Sequence, residues 1–160
     1  MQSTADLRTI AKHELLEEVV HTFGVAKIKV TGDSMLPSVW PGDVITIGRR
    51  PFSELRPGHI VLCSRGEQLV AHRVVRRVGD HLITRGDSLR SDDPPFQETH
   101  VLGRVVSITR NGHDIDPRFT RARRMAAWLL RRSDVCGRVF LRWTRFGPEN
   151  WPRMNADKRR

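Results

Sequence analysis

The stretch Val30-Thr31-Gly32-Asp33-Ser34-Met35-Leu36-Pro37, followed by Gly42-Asp43, is the most informative part of the sequence. A strand-like run over residues 26–30 leads into a Gly-Asp turn, and Pro37 prevents a regular strand from continuing. Ser34 is therefore expected at a bend, with an accessible hydroxyl and a backbone N–H that no strand ladder uses. A nucleophilic serine needs this arrangement, because nearby amides must stabilise the oxyanion. The same residues are typical of an ordinary turn, so both interpretations remain open at this point.

The length and the charge of the chain limit its class. Its 160 residues are enough for one domain with a core of moderate size. Lys and Arg together number 28 against 18 Asp and Glu, which gives a formal net charge of +10. The excess lies in the arginine-rich region 118–160, whereas residues 1–100 are close to neutral. A surplus of this kind favours an anionic partner, either a nucleic acid or an acidic lipid surface.

Short strands separated by Gly and Pro turns are predicted from residue 25 onward. The candidate strands cover residues 26–31, 43–48, 58–64, 69–78, 81–85 and 101–109. This density of short strands predicts a mainly β fold. We expect a compact, partly closed β-structure in which parallel and antiparallel pairing are mixed.

Helices are predicted on both sides of the strands. Apolar residues at helical spacing predict one helix over residues 5–21, and Gly24 is expected to end it. Basic amphipathic helices are predicted over 119–132 and 135–146, with a disordered tail from Pro148. The expected organisation is therefore an N-terminal helix (1–24), a β domain (25–116) and a basic helical extension (117–160).

A serine nucleophile needs a base, and His72 is the best candidate. It lies in the middle of the β-branched run Leu69-Val70-Ala71-His72-Arg73-Val74-Val75. An isolated strand histidine more often has no chemical role. The assignment of His72 as a base therefore depends on finding partner residues for it. A third group must hold the imidazole tautomer and stabilise the imidazolium. Asp87, Asp92 and Asp93 follow in the sequence, although each could equally be a solvated loop charge or part of an Asx-turn.

Five blocks of sequence, in this order, resemble the signal peptidase I family. They are Gly32-Asp33-Ser34-Met35-Leu36-Pro37 with Gly42-Asp43, Gly58-His59-Ile60-Val61, Ala71-His72-Arg73-Val74-Val75, Thr84-Arg85-Gly86-Asp87 with Asp92-Asp93, and Val101-Leu102-Gly103-Arg104-Val105. The resemblance covers residues 28–108, and it implies a peptidase domain of the S24/S26 type over 25–116. A histidine at the base position resembles the Ser/His variant found in the endoplasmic reticulum and in archaea. The family belongs to a clan shared with LexA-like S24 peptidases.

The resemblance implies a serine endopeptidase that cleaves a precursor or leader peptide through an acyl-enzyme. It implies a nucleophile at Ser34, a general base at His72 and a carboxylate partner. We favour Asp93 as that partner and Asp87 as an auxiliary carboxylate. Histidine titrates near neutral pH, so it suits the role of base without desolvation. Gly32 occupies a place where many signal peptidases offer a hydroxyl, so the oxyanion hole is expected to rest on the Ser34 backbone amide.

Two alternatives remain. The Gly32-Asp33-Ser34-Met35 form is closer to the LexA-like self-cleaving repressors, which bind DNA. About 25 residues precede it, too few for a helix-turn-helix unit, and no lysine lies between Lys29 and Lys158 to serve as that clan's base. A nucleic-acid partner is therefore not favoured. The second alternative is a non-catalytic relative that keeps the fold and binds a peptide.

The expected compartment and the expected lack of a cofactor both follow from features that the sequence does not contain. No run approaches 18 apolar residues, and the first residues lack a basic and an apolar segment, so neither a transmembrane helix nor a secretory signal is expected. The expected location is the cytoplasm. Two interpretations of residues 118–146 stay open: helices packed on the β domain with their arginines in water, or interfacial helices that bind the inner face of the membrane peripherally. Cys63 is expected to be a buried thiol. Cys63 and Cys136 lack the spacing of a metal site or redox pair, so no metal or cofactor is predicted.

Overall fold

A computed structural model describes residues 15–16, 18–66, 68–118 and 120–132. Seven strands form one sheet. They are β1 (Val25–Lys29), β2 (Val44–Gly48), β3 (Ile60–Arg65), β4 (Gln68–Val78), β5 (His81–Arg85), β6 (Val101–Arg110) and β7 (His113–Ile115). The strand order is β1-β2-β6-β3-β4-β5, and β7 pairs with β6. The mainly β fold is thus confirmed. The described sheet is open, with β1 and β5 at its edges, and is not partly closed as expected.

Every strand pairing in the described chain is antiparallel. The expectation of mixed pairing was therefore wrong. Parallel neighbours need a long crossover, usually a helix, whereas tight hairpins join β3 to β4 and β4 to β5. All six sequence-predicted strands are present within a few residues. The one strand that the sequence did not predict is β7, a three-residue strand that pairs with the end of β6 at Ile108–Arg110.

The sheet buries a hydrophobic cluster on each face. Along β3, Ile60 and Leu62 join one cluster, and Val61 and Cys63 join the other. This follows from the strand geometry, because successive side chains point to opposite faces. Met35 and Val39, from the turn that holds Ser34, pack into the first cluster. The hydrophobic effect therefore fixes the Ser34 turn directly on the sheet.

The 3₁₀ turn Phe52–Glu54 and the residue Phe96 cover the second face of the sheet. Phe52, Leu55 and Phe96 are all buried in the second cluster, against Val61 and Leu82. Phe96 is tied to the edge strand by a bridge with Leu82. The segment that carries Asp92 and Asp93 is thereby held against β5.

Helices flank the sheet at both ends of the described chain. The first, α1, includes residues 15–16 and 18–23, and it ends at Gly24, whose N–H donates to the Val20 carbonyl at 3.0 Å. Gly24 has a φ of 70°, a conformation that favours glycine after a helix. The second helix, α2, spans Arg121–Arg132, which agrees with the predicted basic helix. The predicted start of α1, the helix over 135–146 and the tail from Pro148 lie outside the described residues.

Among the described residues, the helices are too short or too polar to cross a membrane.

Candidate active site

Ser34 begins a tight turn over residues 34–38. The Leu36 N–H donates to the Asp33 carbonyl at 3.1 Å, and the Val39 N–H donates to the Met35 carbonyl at 3.0 Å. Met35 and Val39 are 3% and 1% exposed, whereas Ser34 is half-buried. The turn is thus anchored by its apolar residues while its serine stays accessible, as the sequence predicted.

The back of this turn packs against the loop that follows β5. The Ser34 carbonyl accepts hydrogen bonds from the Ser88 N–H at 3.0 Å and from the Ser88 hydroxyl at 2.8 Å. A Cβ added at Gly86 would lie 2.5 Å from the Ser34 carbonyl oxygen. Only glycine permits this close approach, so Gly86 lets the loop support the serine from behind.

His72, on β4, connects Ser34 to Asp93. Its Nε2 lies 2.9 Å from Ser34 Oγ, and its Nδ1 lies 2.5 Å from Asp93 Oδ2. An ionised carboxylate can only accept, so Nδ1–H donates to Asp93 and Nε2 is left to accept the Ser34 hydroxyl proton. His72 is 4% exposed, so these contacts form in a largely dry environment. The arrangement can deprotonate Ser34 as the hydroxyl attacks a carbonyl carbon.

Asp93 is held by three side chains. Its Oδ2 accepts from Thr84 Oγ1 at 2.6 Å as well as from His72, and its Oδ1 accepts from Arg65 Nη2 at 2.7 Å. Burial acts to raise the pKa of Asp93, but the hydrogen bonds from His72, Thr84 and Arg65 outweigh it and lower the pKa to about 2. Asp93 is therefore ionised throughout the neutral range.

Asp87 has a different partner. Its two oxygens accept from Arg73 Nε at 2.8 Å and from Arg73 Nη2 at 2.7 Å. Arg73 also donates to the Gly58 carbonyl at 2.7 Å and to Ser38 Oγ at 3.2 Å. Both members of the pair are at least 95% buried. Asp93 therefore lies beside His72, as favoured from the sequence. Asp87 instead pairs with Arg73, and Arg73 ties β4 to Ser38 at the end of the Ser34 turn.

A second ion pair, between Asp43 and Arg110, holds the chain segment that follows the Ser34 turn. Asp43 is buried and accepts two hydrogen bonds from Arg110, at 2.8 and 2.7 Å, and one from the Trp40 N–H at 2.7 Å. The Trp40 indole N–H donates to the Pro37 carbonyl at 2.9 Å. These bonds fix residues 37–43 against the end of β6.

The backbone around Ser34 leaves a donor for an oxyanion. Within the described chain, the Ser34 N–H donates to no other group. A Cβ added at Gly32 would meet no described atom within 4 Å, so the space beside Gly32 is open. The Ser34 amide can therefore bind a negatively charged oxygen, whereas residue 32 offers no side-chain donor.

Sequence reasoning missed several polar residues of the site, namely Arg65, Arg73, Thr84 and Ser88. Arg73 gave a usable signal, because a charge inside the apolar run of β4 needs a buried partner. Thr84 and Arg65 gave none, since their contacts with Asp93 depend on how β3, β4 and β5 align.

Neither metal nor thiol chemistry is indicated in the described part of the chain. No group of three or more His, Cys, Asp or Glu side chains there is placed to hold a metal ion. Cys63 is a buried free cysteine, as predicted, and burial raises its pKa to about 12. It is therefore a core thiol and not a nucleophile. Cys136 lies outside the described residues.

The fold and the site define a mainly β protein that carries a hydrogen-bonded serine, histidine and aspartate. A family model described as peptidase S24-like matches residues 2–106, more than half of the chain, so the chain belongs to the peptidase S24-like family. It is also similar to proteins named inactive signal peptidase IA. That of Staphylococcus aureus strain Mu50 is 24% identical over 101 residues, 61% of this chain and 58% of that protein. That of strain MRSA252 is 21% identical over 149 residues, 79% of this chain and 83% of that protein. The chain thus spans little more than half the length of the first of these relatives.

Proposed function

We propose that the chain is a serine endopeptidase of the signal peptidase I type, in its Ser/His variant, with Ser34 as nucleophile. The observation that carries the proposal is the continuous hydrogen-bonded path from Ser34 Oγ through His72 to Asp93, at 2.9 and 2.5 Å. A histidine with one nitrogen on a carboxylate and the other on a serine hydroxyl is the arrangement that general-base activation requires.

The reaction has two halves. In the first, Ser34 Oγ attacks the peptide carbonyl carbon while its proton passes to His72 Nε2, and the oxyanion accepts from the Ser34 N–H. The C–N bond then breaks as His72 returns the proton to the leaving amine, which leaves an ester on Ser34. In the second half, water loses a proton to His72 and attacks the ester carbon. The bond from that carbon to Ser34 Oγ then breaks as His72 returns the proton to Oγ, which releases the new carboxyl end and regenerates the hydroxyl. Asp93 stays ionised and stabilises the imidazolium in both halves.

The proposed substrate is the leader or precursor segment of another protein. This rests on the resemblance of the five sequence blocks to signal peptidases. The Staphylococcus aureus relatives described above are named inactive, so the test measures activity directly.

The test compares the purified protein with Ser34→Ala on a proteome-derived peptide library, with the products identified by mass spectrometry. Ser53→Ala is the matched control, because Ser53 lies on the exposed face of the turn Phe52–Glu54. We expect cleavage by the wild type and by the control but none by Ser34→Ala. Cleavage by Ser34→Ala at the wild-type rate would refute the assignment, and peptide binding without cleavage by the wild type would favour the non-catalytic alternative.

The same protein tests the LexA-like alternative, which the Gly32-Asp33-Ser34-Met35 sequence favours. A self-cleaving chain would break into fragments on its own, at a rate independent of protein concentration. We expect the wild-type chain to stay intact while it cleaves added peptides.

We propose in addition that α2 binds an anionic membrane surface. Met125, Trp128 and Leu129 are 69%, 55% and 52% exposed, and their spacing places them on one face of the helix. The guanidinium of Arg132 lies 5.5 Å from the centre of the Trp128 ring. An exposed apolar face with aromatic and arginine side chains is typical of an interfacial helix. This would place the protein at the inner face of the membrane.

Vesicle sedimentation tests this second proposal. The full chain is mixed with phosphatidylcholine vesicles, with and without phosphatidylglycerol. We expect pelleting only with the anionic lipid, and weaker pelleting of the Trp128→Ala, Leu129→Ala double variant. Val78→Ala is the control, because Val78 is equally exposed on β4. No pelleting of the wild type with the anionic vesicles would refute the proposal.

A further inference from the structure

Arg65 lies at the last position of β3, where it pairs with Gln68 across the hairpin. Its side chain is 41% exposed, whereas that of Asp93 is only 6% exposed. Arg65 is thus the solvent-facing member of a group whose other members are buried.

The two oxygens of Asp93 have separate partners. Oδ2 receives the hydrogen bonds from His72 and Thr84, and Oδ1 receives the one from Arg65. A carboxylate held on one oxygen only can rotate about its Cβ–Cγ bond. The bond to Oδ1 therefore fixes the plane of the carboxylate, and with it the direction in which Oδ2 accepts from the imidazole.

The Phe96 ring helps to position the Arg65 side chain. Its guanidinium carbon lies 5.4 Å from the centre of the Phe96 ring, and Phe96 is buried in the second cluster. A guanidinium over an aromatic face is favourably placed by the ring quadrupole. Phe96 is also held to β5 by its backbone bridge with Leu82. Arg65 is therefore aimed at Asp93 by the fold and is not a freely moving surface charge.

We propose that Arg65 is a positioning residue for the reaction, which acts through Asp93 on His72; this rests on the proposed peptidase function. Arg65 shields Oδ1 from water and orients Oδ2 toward His72 Nδ1. It does not touch the substrate carbonyl or Ser34.

Two measurements on the full chain test this role. The first is the second-order rate of Ser34 modification by a fluorophosphonate. The second is the proton NMR signal of His72 Nδ1–H, found far downfield because of its short bond to Asp93 and assigned by its loss in His72→Ala. The second measurement needs no activity. Failure of the peptidase proposal and failure of the Arg65 proposal are therefore distinguishable.

Arg65→Gln is the test variant, and Arg76→Gln is its matched control. Arg76 lies on β4, is 58% exposed and pairs with the neighbouring Asp92 at 3.7 Å. We expect Arg65→Gln to slow modification of Ser34 by about three- to tenfold, because it loses one charge-assisted and partly screened hydrogen bond. The Nδ1–H signal should move upfield or broaden by exchange with water. Arg65→Lys should recover part of both effects, and Arg76→Gln should change neither.

Salt provides a further readout. The Arg65 side chain is accessible to ions, so raising the ionic strength from about 0.05 to about 0.5 M should slow the wild type but leave Arg65→Gln nearly unchanged. The proposal is overturned if the Nδ1–H signal of Arg65→Gln matches the wild type. It is also overturned if Arg65→Gln and Arg76→Gln slow the reaction equally.

Discussion

Replacing Asp87 with alanine removes a buried carboxylate that accepts two hydrogen bonds from Arg73, at 2.8 and 2.7 Å. Asp87 is 1% exposed and Arg73 is 5% exposed, so water cannot take the place of the missing oxygens without rearrangement. Breaking a buried ion pair from one side leaves an uncompensated charge, which costs about 3–5 kcal/mol. Since small domains are stable by only about 5–15 kcal/mol, Asp87→Ala should lose a large part of its free energy of unfolding.

Urea unfolding, followed by tryptophan fluorescence, measures this loss. Asp92→Ala is the matched control, because Asp92 pairs with Arg85 at 3.2 Å and with Arg76 at 3.7 Å nearer the surface. Its loss should cost no more than about 1 kcal/mol. The double variant Arg73→Met, Asp87→Leu should be more stable than Asp87→Ala, since it leaves no buried charge. Equal stabilities of Asp87→Ala and Asp92→Ala would refute the structural role of Asp87.

Three further predictions concern the site. Asp93→Asn should slow Ser34 modification by at least about a hundredfold, because the amide no longer fixes the imidazole tautomer; a loss below threefold would argue against the Asp93 role. The pKa of Asp93 is lowered to about 2, so its charged form stabilises the fold above about pH 4 and this contribution is lost as the pH falls toward about 2. Between those pH values the wild type should lose about 2 kcal/mol more stability than Asp93→Asn, measured by urea unfolding, and parallel losses would contradict this. Gly86→Ala should cost about 1–3 kcal/mol and slow Ser34 modification, because its Cβ would lie 2.5 Å from the Ser34 carbonyl oxygen; unchanged stability and rate would show that the loop yields freely.

Most of the fold could be predicted from local pattern. Alternating apolar residues and Gly or Pro turns place six strands, because the side-chain period of a strand is visible in the sequence. The pairing could not be predicted in the same way. It depends on contacts between distant strands, such as Val61 with both His72 and Arg104. The short β7 strand was not predicted, because it is defined by its pairing with β6 and has no local sequence pattern.

The candidate site shows the same difference between residues that local pattern predicts and residues that depend on distant contacts. Ser34 and His72 could be proposed from turn chemistry and from the resemblance of five ordered blocks. The two carboxylates could not be separated firmly, because each lies in a turn signal, Asp87 after Gly86 and Asp93 before two prolines. Their difference lies in β4, where His72 and Arg73 are consecutive and so point to opposite sides of the strand. His72 contacts Asp93, and Arg73 contacts Asp87.

The central claim is that His72 activates Ser34. Mass spectrometry of the intact protein after fluorophosphonate treatment, followed by peptide mapping, tests it most directly. We predict a single adduct on Ser34 in the wild type, no adduct in Ser34→Ala and adduct formation slowed by at least about a hundredfold in His72→Ala. An adduct on another serine, or the same rate in His72→Ala as in the wild type, would contradict the account.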